Sequence, residues 1–258
     1  MRIKIFILLC LTAIMQFTGV TPLKASHYYY KQLSLKDGLT SAVRCILTDK
    51  QGFVWIGTKA GISRYDGHEL KKYVHSQNNP HSIPNNLIHQ IAEDEMSNIW
   101  ILTDKGIARY QRQSDDFFLP TDEKGNPIIA YSTCLTKDGV LFGSKDKVYF
   151  YSYRDSSLRL LQKLNKGSNF NISLLSLWNE HTVLCCSRWQ GLALLDLKTG
   201  KHRLPPFDCG KEIMNMLIDS QNRIWIAPYN EGIKCFTHNG ELVKAYTTHN
   251  SDLSNNVV

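Results

Sequence analysis

Val43-Arg44-Cys45-Ile46-Leu47-Thr48-Asp49-Lys50-Gln51-Gly52-Phe53-Val54-Trp55-Ile56-Gly57-Thr58, followed by Gly61-Ile62-Ser63-Arg64-Tyr65, is the stretch that decides the fold. It reads as an apolar run, a polar turn, a second apolar run with a tryptophan, a tight bend and a third run. The same order returns as Ile88 to Asp94, Asn98-Ile99-Trp100-Ile101 and Gly106 to Tyr110. It returns again as Met214 to Asp219, Asn222-Arg223-Ile224-Trp225-Ile226 and Gly232 to Phe236. Weaker copies centre on Leu141 and Leu184. Aligning Trp55, Trp100, Leu141, Leu184 and Trp225 gives steps of 45, 41, 43 and 41 residues. A fixed period of this size marks a repeat architecture.

Within each unit the runs are short and rich in β-branched and aromatic residues. Turn chemistry separates them, as at Lys50-Gln51-Gly52 and Lys137-Asp138-Gly139. A fourth run closes each unit, such as Leu70 to Val74 or Leu242 to Tyr246. Four short strands in about 42 residues predict an all-β chain, a β-propeller of four-stranded blades. The blades are expected at about 39–79, 83–122, 127–166, 170–206 and 210–249, with a sixth beginning near 253. First strands, at about 43–48, 87–93, 131–136, 172–178 and 213–218, are expected to line the channel. Trp55, Trp100 and Trp225 are expected to wedge between blades, where a large ring buries much area. Asp49, Asp94 and Asp219 are read as turn-formers accepting backbone N–H groups. Gly61, Gly106, Gly191 and Gly232 are read as relieving a bend that needs positive φ.

Outward from the repeats, the N-terminus has a different character. Arg2 and Lys4 precede an uncharged apolar run, Ile5 to Phe17, and Leu23-Lys24-Ala25 is a passable cleavage site. Residues 1–25 therefore read as a secretory signal peptide; an uncleaved membrane anchor is the competing reading. Removing them leaves 233 residues, or about 5.5 units, so residues 26–258 are expected to be part of a larger propeller. The stretch Asp252 to Val258 parallels Ser82 to Ile88, a blade entry, and Tyr28 to Leu33 reads as a strand preceding the first full blade.

The 258 residues are 43% hydrophobic and 21% charged, a globular composition that excludes collagen-like, coiled-coil and acidic disordered chains. Net charge is +7, but residues 1–25 hold three basic residues and no acid. The remaining 27 basic against 23 acidic residues are scattered, so no nucleic-acid partner is expected. Of the cysteines, Cys45, Cys134, Cys185, Cys186, Cys209 and Cys235 lie beyond the signal, mostly in apolar runs. They read as buried thiols rather than a disulfide framework, and adjacent Cys185 and Cys186 should face opposite sides of a strand.

No catalytic pattern stands out. The phosphate-loop and Gly-x-Ser-x-Gly spacings are absent, and the nine histidines do not fall at metal-ligand spacing. No metal and no cofactor is expected. The best ligand contacts are the turns between second and third strands: Lys59 in blade 1, Asp104-Lys105 in blade 2, Arg188-Trp189-Gln190 in blade 4 and Tyr229-Asn230-Glu231 in blade 5. An aromatic ring beside amides and charges suits a sugar, with its apolar ring face and hydroxyl rim.

These residues resemble the two-component regulator propeller family, whose repeat reads as an apolar strand, Asp-x-x-Gly, Trp-Ile-Gly-Thr and Gly-Leu-x-Arg-Tyr-Asp. Asp49 to Thr58 and Gly61 to Gly67 match closely, and Leu33 to Thr40 is similar to that family's entry to its first blade. The resemblance is specific in blades 1, 2 and 5, and weak where Leu141 and Leu184 replace tryptophan. It implies a seven-bladed ring and the periplasmic sensor part of a hybrid histidine kinase of the Bacteroidetes type. It further implies an oligosaccharide or other small periplasmic ligand, a homodimer in the full-length protein, and control of transcription by phosphorelay. No catalysis is expected in this segment, since the kinase, receiver and DNA-binding parts are outside it. Membrane attachment is expected only through a C-terminal part beyond it. The alternatives are an exported propeller that scaffolds a protein partner, and a propeller glycan hydrolase or lyase using Glu93, Asp94 and Glu212.

Overall fold

In the computed structural model, residues 32–34, 36, 38–39, 42–164, 170–210 and 212–258 are described. The signal peptide expected at 1–25 lies outside them. So does most of the strand expected over 28–33, of which Gln32 and Leu33 are irregular. Residues 35–258 belong to one compact unit, and the fold below is that unit's.

Five antiparallel meanders follow one another. Blade 1 is β1 (Val43–Thr48), β2 (Val54–Thr58), β3 (Gly61–Tyr65) and β4 (Leu70–Tyr73). Blade 2 is β5 (Ile88–Glu93), β6 (Ile99–Thr103), β7 (Gly106–Gln111) and β8 (Asp116–Phe118). Blade 3 is β9 (Ser132–Thr136), β10 (Gly139–Ser144), β11 (Lys147–Ser152) and β12 (Leu158–Lys163). Blade 4 is β13 (Leu174–Asn179), β14 (Thr182–Ser187), β15 (Gly191–Asp196) and β16 (His202–Arg203). Blade 5 is β17 (Ile213–Ile218), β18 (Ile224–Pro228), β19 (Ile233–Phe236) and β20 (Leu242–Tyr246). The described residues hold no α-helix, and the fold is a β-propeller.

Register shows the repeat to be structural. Trp55 lies between Leu47 and Arg64, Trp100 between Ala92 and Arg109, and Trp225 between Leu217 and Cys235. In each case the strand is flanked on both sides, so both its edges are satisfied; in blades 1 and 2 its tryptophan also fills the gap to the next blade. Trp55 and Trp100 are fully buried. Each meets a tyrosine of the following blade edge-on: Trp55 with Tyr110 and Trp100 with Tyr151, both with ring centroids 4.8 Å apart. Arg64 then donates to the Tyr110 hydroxyl, and Arg109 to that of Tyr151 at 2.8 Å. Trp225 differs from expectation. It is half-buried and stacks on Tyr246 of its own blade at 5.9 Å, because no described blade packs on that side of blade 5.

The aspartates do more than the sequence implied. Asp49 is 4% exposed and accepts from the Gln51 and Phe53 N–H groups at 3.0 Å, as a turn-former should. Its other oxygen accepts the indole N–H of Trp55 at 3.0 Å. Asp94 and Trp100 repeat this at 2.7 Å, and Asp219 and Trp225 at 2.8 Å. Burial alone would raise the Asp49 carboxyl. The Trp55 and Arg112 donors outweigh it and hold that carboxyl below the usual range.

A second junction ties blades 1 and 2 at their rim. Asp115 accepts from Tyr73 at 2.6 Å and Tyr110 at 2.5 Å, and pairs with Lys71 and Arg64. Burial again opposes ionisation, but the Lys71, Tyr110 and Tyr73 donors win and bring Asp115 down to about 2. The same burial raises the Tyr73 phenol.

Tight bends fall at the expected glycines. Gly232, at φ +75°, would place a Cβ 2.1 Å from the Tyr246 carbonyl oxygen. The six described cysteines are free thiols. Cys185 packs among the residues between blades 3 and 4, and Cys186 among those between blades 4 and 5, on opposite faces of β14. The stretch after Leu253 is not a strand. Its bonds nevertheless repeat those of the blade 2 entry: Gly232 N–H donates to Asn256 O at 2.9 Å as Gly61 N–H does to Asn86 O at 2.8 Å.

Candidate ligand-binding face

An antiparallel meander puts its second-to-third-strand turns at one end and its other two turns at the opposite end. The first end is the upper face here, and the predicted contact residues lie on it. Lys59 and Lys105 are exposed at two-residue turns. Each turn is braced from below by a buried threonine. Thr58 donates to Gly61 O at 2.9 Å, and Thr103 to Gly106 O at 2.7 Å. Asp104, beside Lys105, is engaged at 2.5 Å by His89 of β5, and the His89 ring meets Tyr131 edge-on at 5.4 Å.

Blades 4 and 5 come together more closely. Ile213 N–H donates to Arg188 O at 3.0 Å, and Tyr229 N–H to Glu212 O at 2.7 Å. Glu212-Ile213 is thus stitched to both turns and joins Arg188-Trp189-Gln190 to Tyr229-Asn230-Glu231. Trp189 is 64% exposed, with the Arg188 guanidinium 5.0 Å over its ring, and Tyr229 is 49% exposed. Asn230 holds the turn tip at φ +61°, a conformation asparagine tolerates.

A cleft of about 500 Å³ is lined by Asp208, Gly210, Glu212, Tyr229 and Glu231. Lys234 donates to Glu231 at 2.5 Å, leaving Asp208 and Glu212 as the other carboxylates beside the phenol ring. Sequence reasoning placed Tyr229 and Glu231 here but missed Asp208 as a lining group, and gave Glu212 only a catalytic reading. The available signal was position: both lie just before β17, where a blade entry crosses the upper face. His89 and Tyr131 were missed for a similar reason.

The fold and this face define a class: a β-propeller whose loops converge on one surface. Residues 37–60 match the family model named two component regulator propeller. A 56-residue stretch is 41% identical to a histidine kinase of Formosa agariphila, covering 21% of this chain and 4% of that protein. Among solved structures, the extracellular domain of a putative hybrid two component system from B. thetaiotaomicron superposes with a TM-score of 0.68 at 20% identity, over 88% of this chain and 33% of that one. PorZ, a surface component of the type-IX secretion system of Porphyromonas gingivalis, gives 0.61 at 16% identity over 84% and 35%. The chain therefore spans about a third of the length of these structures.

Proposed function

We propose that this chain is the ligand-reading propeller of an extracytoplasmic two-component sensor, and that its ligand is an oligosaccharide bound on the upper face of blades 4 and 5. The observation that carries the reading is the pairing of two exposed aromatic rings, Trp189 and Tyr229, on turns stitched together beside a carboxylate-lined cleft. A sugar offers C–H faces to such rings and hydroxyls to Asp208 and Glu212. Export by the N-terminal signal places the propeller in the periplasm. In the full-length homodimer, binding shifts the balance between two arrangements and so reaches the kinase.

A glycan array probed with the full-length protein, followed by calorimetry on the hits, tests this. Trp189→Ala and Tyr229→Ala are each expected to weaken a binding glycan about tenfold or more. Glycans that bind equally well to both variants, or an array with no binder, would refute it.

A further inference from the structure

The junction between blades 3 and 4 is built differently from the two before it. At the junctions of blades 1 and 2 and of blades 2 and 3 the space between sheets is filled by a Trp–Tyr ring pair, with an aspartate on the indole N–H and a guanidinium on the phenol hydroxyl. At the next junction each part is replaced. Register puts Leu141 at the tryptophan position, between Cys134 and Phe150. Leu195, opposite Val183, takes the place of Tyr151, which lies opposite Val140. Thr136 stands two residues beyond Cys134, where Asp94 stands two beyond Ala92, and its hydroxyl turns to Gly139 O at 2.9 Å.

Two leucines are smaller than an indole and a phenol. A cleft of about 670 Å³ opens at this junction on the lower face, opposite the upper-face turns; Leu141 stands in its wall, while Leu195 is fully buried behind it. Its apolar lining includes Leu141, Phe150, Leu161 and Leu177, while Arg159, Lys137 and Lys198 contribute at its rim. The Arg159 guanidinium lies 5.8 Å from the Phe150 ring centroid, so a cation already sits over an aromatic face there. The volume lies within the range of small-molecule sites, and an apolar floor with few polar groups is their usual composition.

We infer that this cleft is a second ligand site, taking a small planar aromatic anion whose ring replaces the missing indole. The ring stacks in the space between the sheets, where neighbouring junctions show indole and phenol groups already fit. The anionic group reaches the rim, where three cations face the two acids Asp138 and Glu180. The site is separate from the glycan face and stands or falls independently of it.

The test titrates indole-3-acetate, and indole as its neutral counterpart, into the full-length protein by ligand-observed NMR. Saturable binding of one indole-3-acetate per chain is expected, with a dissociation constant of about 1 mM or tighter. Leu141→Trp fills the cleft and is expected to lower binding of both probes at least about tenfold while Tm holds or rises. Arg159→Ala changes an exposed residue, so folding is retained. It is expected to weaken indole-3-acetate about fivefold and leave indole unchanged. Trp189→Ala should alter neither. Absence of saturable binding to the wild type, or binding unaffected by both Leu141→Trp and Arg159→Ala, overturns the inference.

Discussion

Replacing Asp94 with alanine tests the tie between turn and tryptophan at its most buried point. Asp94 is 1% exposed and Trp100 is fully buried. One carboxylate oxygen accepts from the Asn98 N–H at 2.8 Å, and the other from the Trp100 indole N–H at 2.7 Å. Asn98 is half-buried and can turn its amide to water, so its loss is small. The indole cannot: its ring is held against Phe142 and Tyr151, and no water replaces the carboxylate without opening the blade 2–blade 3 junction. A buried donor left unpaired costs about 1–3 kcal/mol, and bonds to a charged acceptor contribute about 1.5–3 kcal/mol. Asp94→Ala should therefore destabilise by about 3 kcal/mol, or about 6 to 12 °C in Tm for a domain of this size. Asp94→Asn keeps an acceptor oxygen and should lose less. Asp219→Ala removes the same contact where the partner Trp225 is half-buried and its N–H can be hydrated, so its effect should be smaller still. Urea unfolding followed by tryptophan fluorescence and far-UV circular dichroism reads all three. An Asp94→Ala protein within about 0.5 kcal/mol of wild type, the range of ordinary surface changes, would refute the reasoning.

Acid should weaken the blade 1–blade 2 junction in a defined window. Asp115 is depressed to about 2 and Asp49 is also held low, against an unfolded value of about 3.9. Their stabilisation is then complete above about pH 4 and lost as pH falls towards 2. Chemical denaturation at stepped pH should show that loss, reduced in Asp115→Asn; stability constant down to pH 2 would contradict it. The thiols should be inert when folded. Burial raises Cys134 to about 11 and Cys186 to about 12, so a thiol reagent at pH 8 should label them only after denaturant is added. Rapid labelling of the native protein would count against that. Gly232→Ala meets both positive φ and a carbonyl 2.1 Å from the new Cβ, and should cost at least about 2 kcal/mol by thermal melt. Gly67→Ala, also at positive φ but with open space around it, should cost only about 1 kcal/mol; equal losses would show that the close approach is not what matters.

Period and alternation made the blades legible because each strand is short, flanked by turn residues and apolar at the positions that face another sheet. The expected first strand at 43–48 and closing strand at 242–246 are the strands observed. The pairing of aspartate with tryptophan was visible only as a spacing: 49 and 55, 94 and 100, 219 and 225 are each six apart. A turn explained each aspartate without invoking the ring, so the second role stayed hidden until register brought the indole back over the turn. The weak blades show the same logic from the other side. Leu141 and Leu184 both looked like simple losses of tryptophan, yet the two junctions differ. Between blades 4 and 5, Trp178 and His238 stack at 4.2 Å and Phe207 and Phe236 at 4.6 Å; Phe236 stands where the repeat has Tyr110 and Tyr151, and the other three rings come from positions the repeat does not assign. Between blades 3 and 4 a cleft with Leu141 in its wall stays open instead. One substitution in a repeat thus has two outcomes, because what fills the space comes from a neighbouring blade some 40 residues away. The upper-face turns were legible for the same reason that their grouping was not. Each turn is a local feature, whereas the joining of Arg188 to Ile213 and Tyr229 to Glu212 depends on where Glu212-Ile213, at the start of β17, lies between the two sheets.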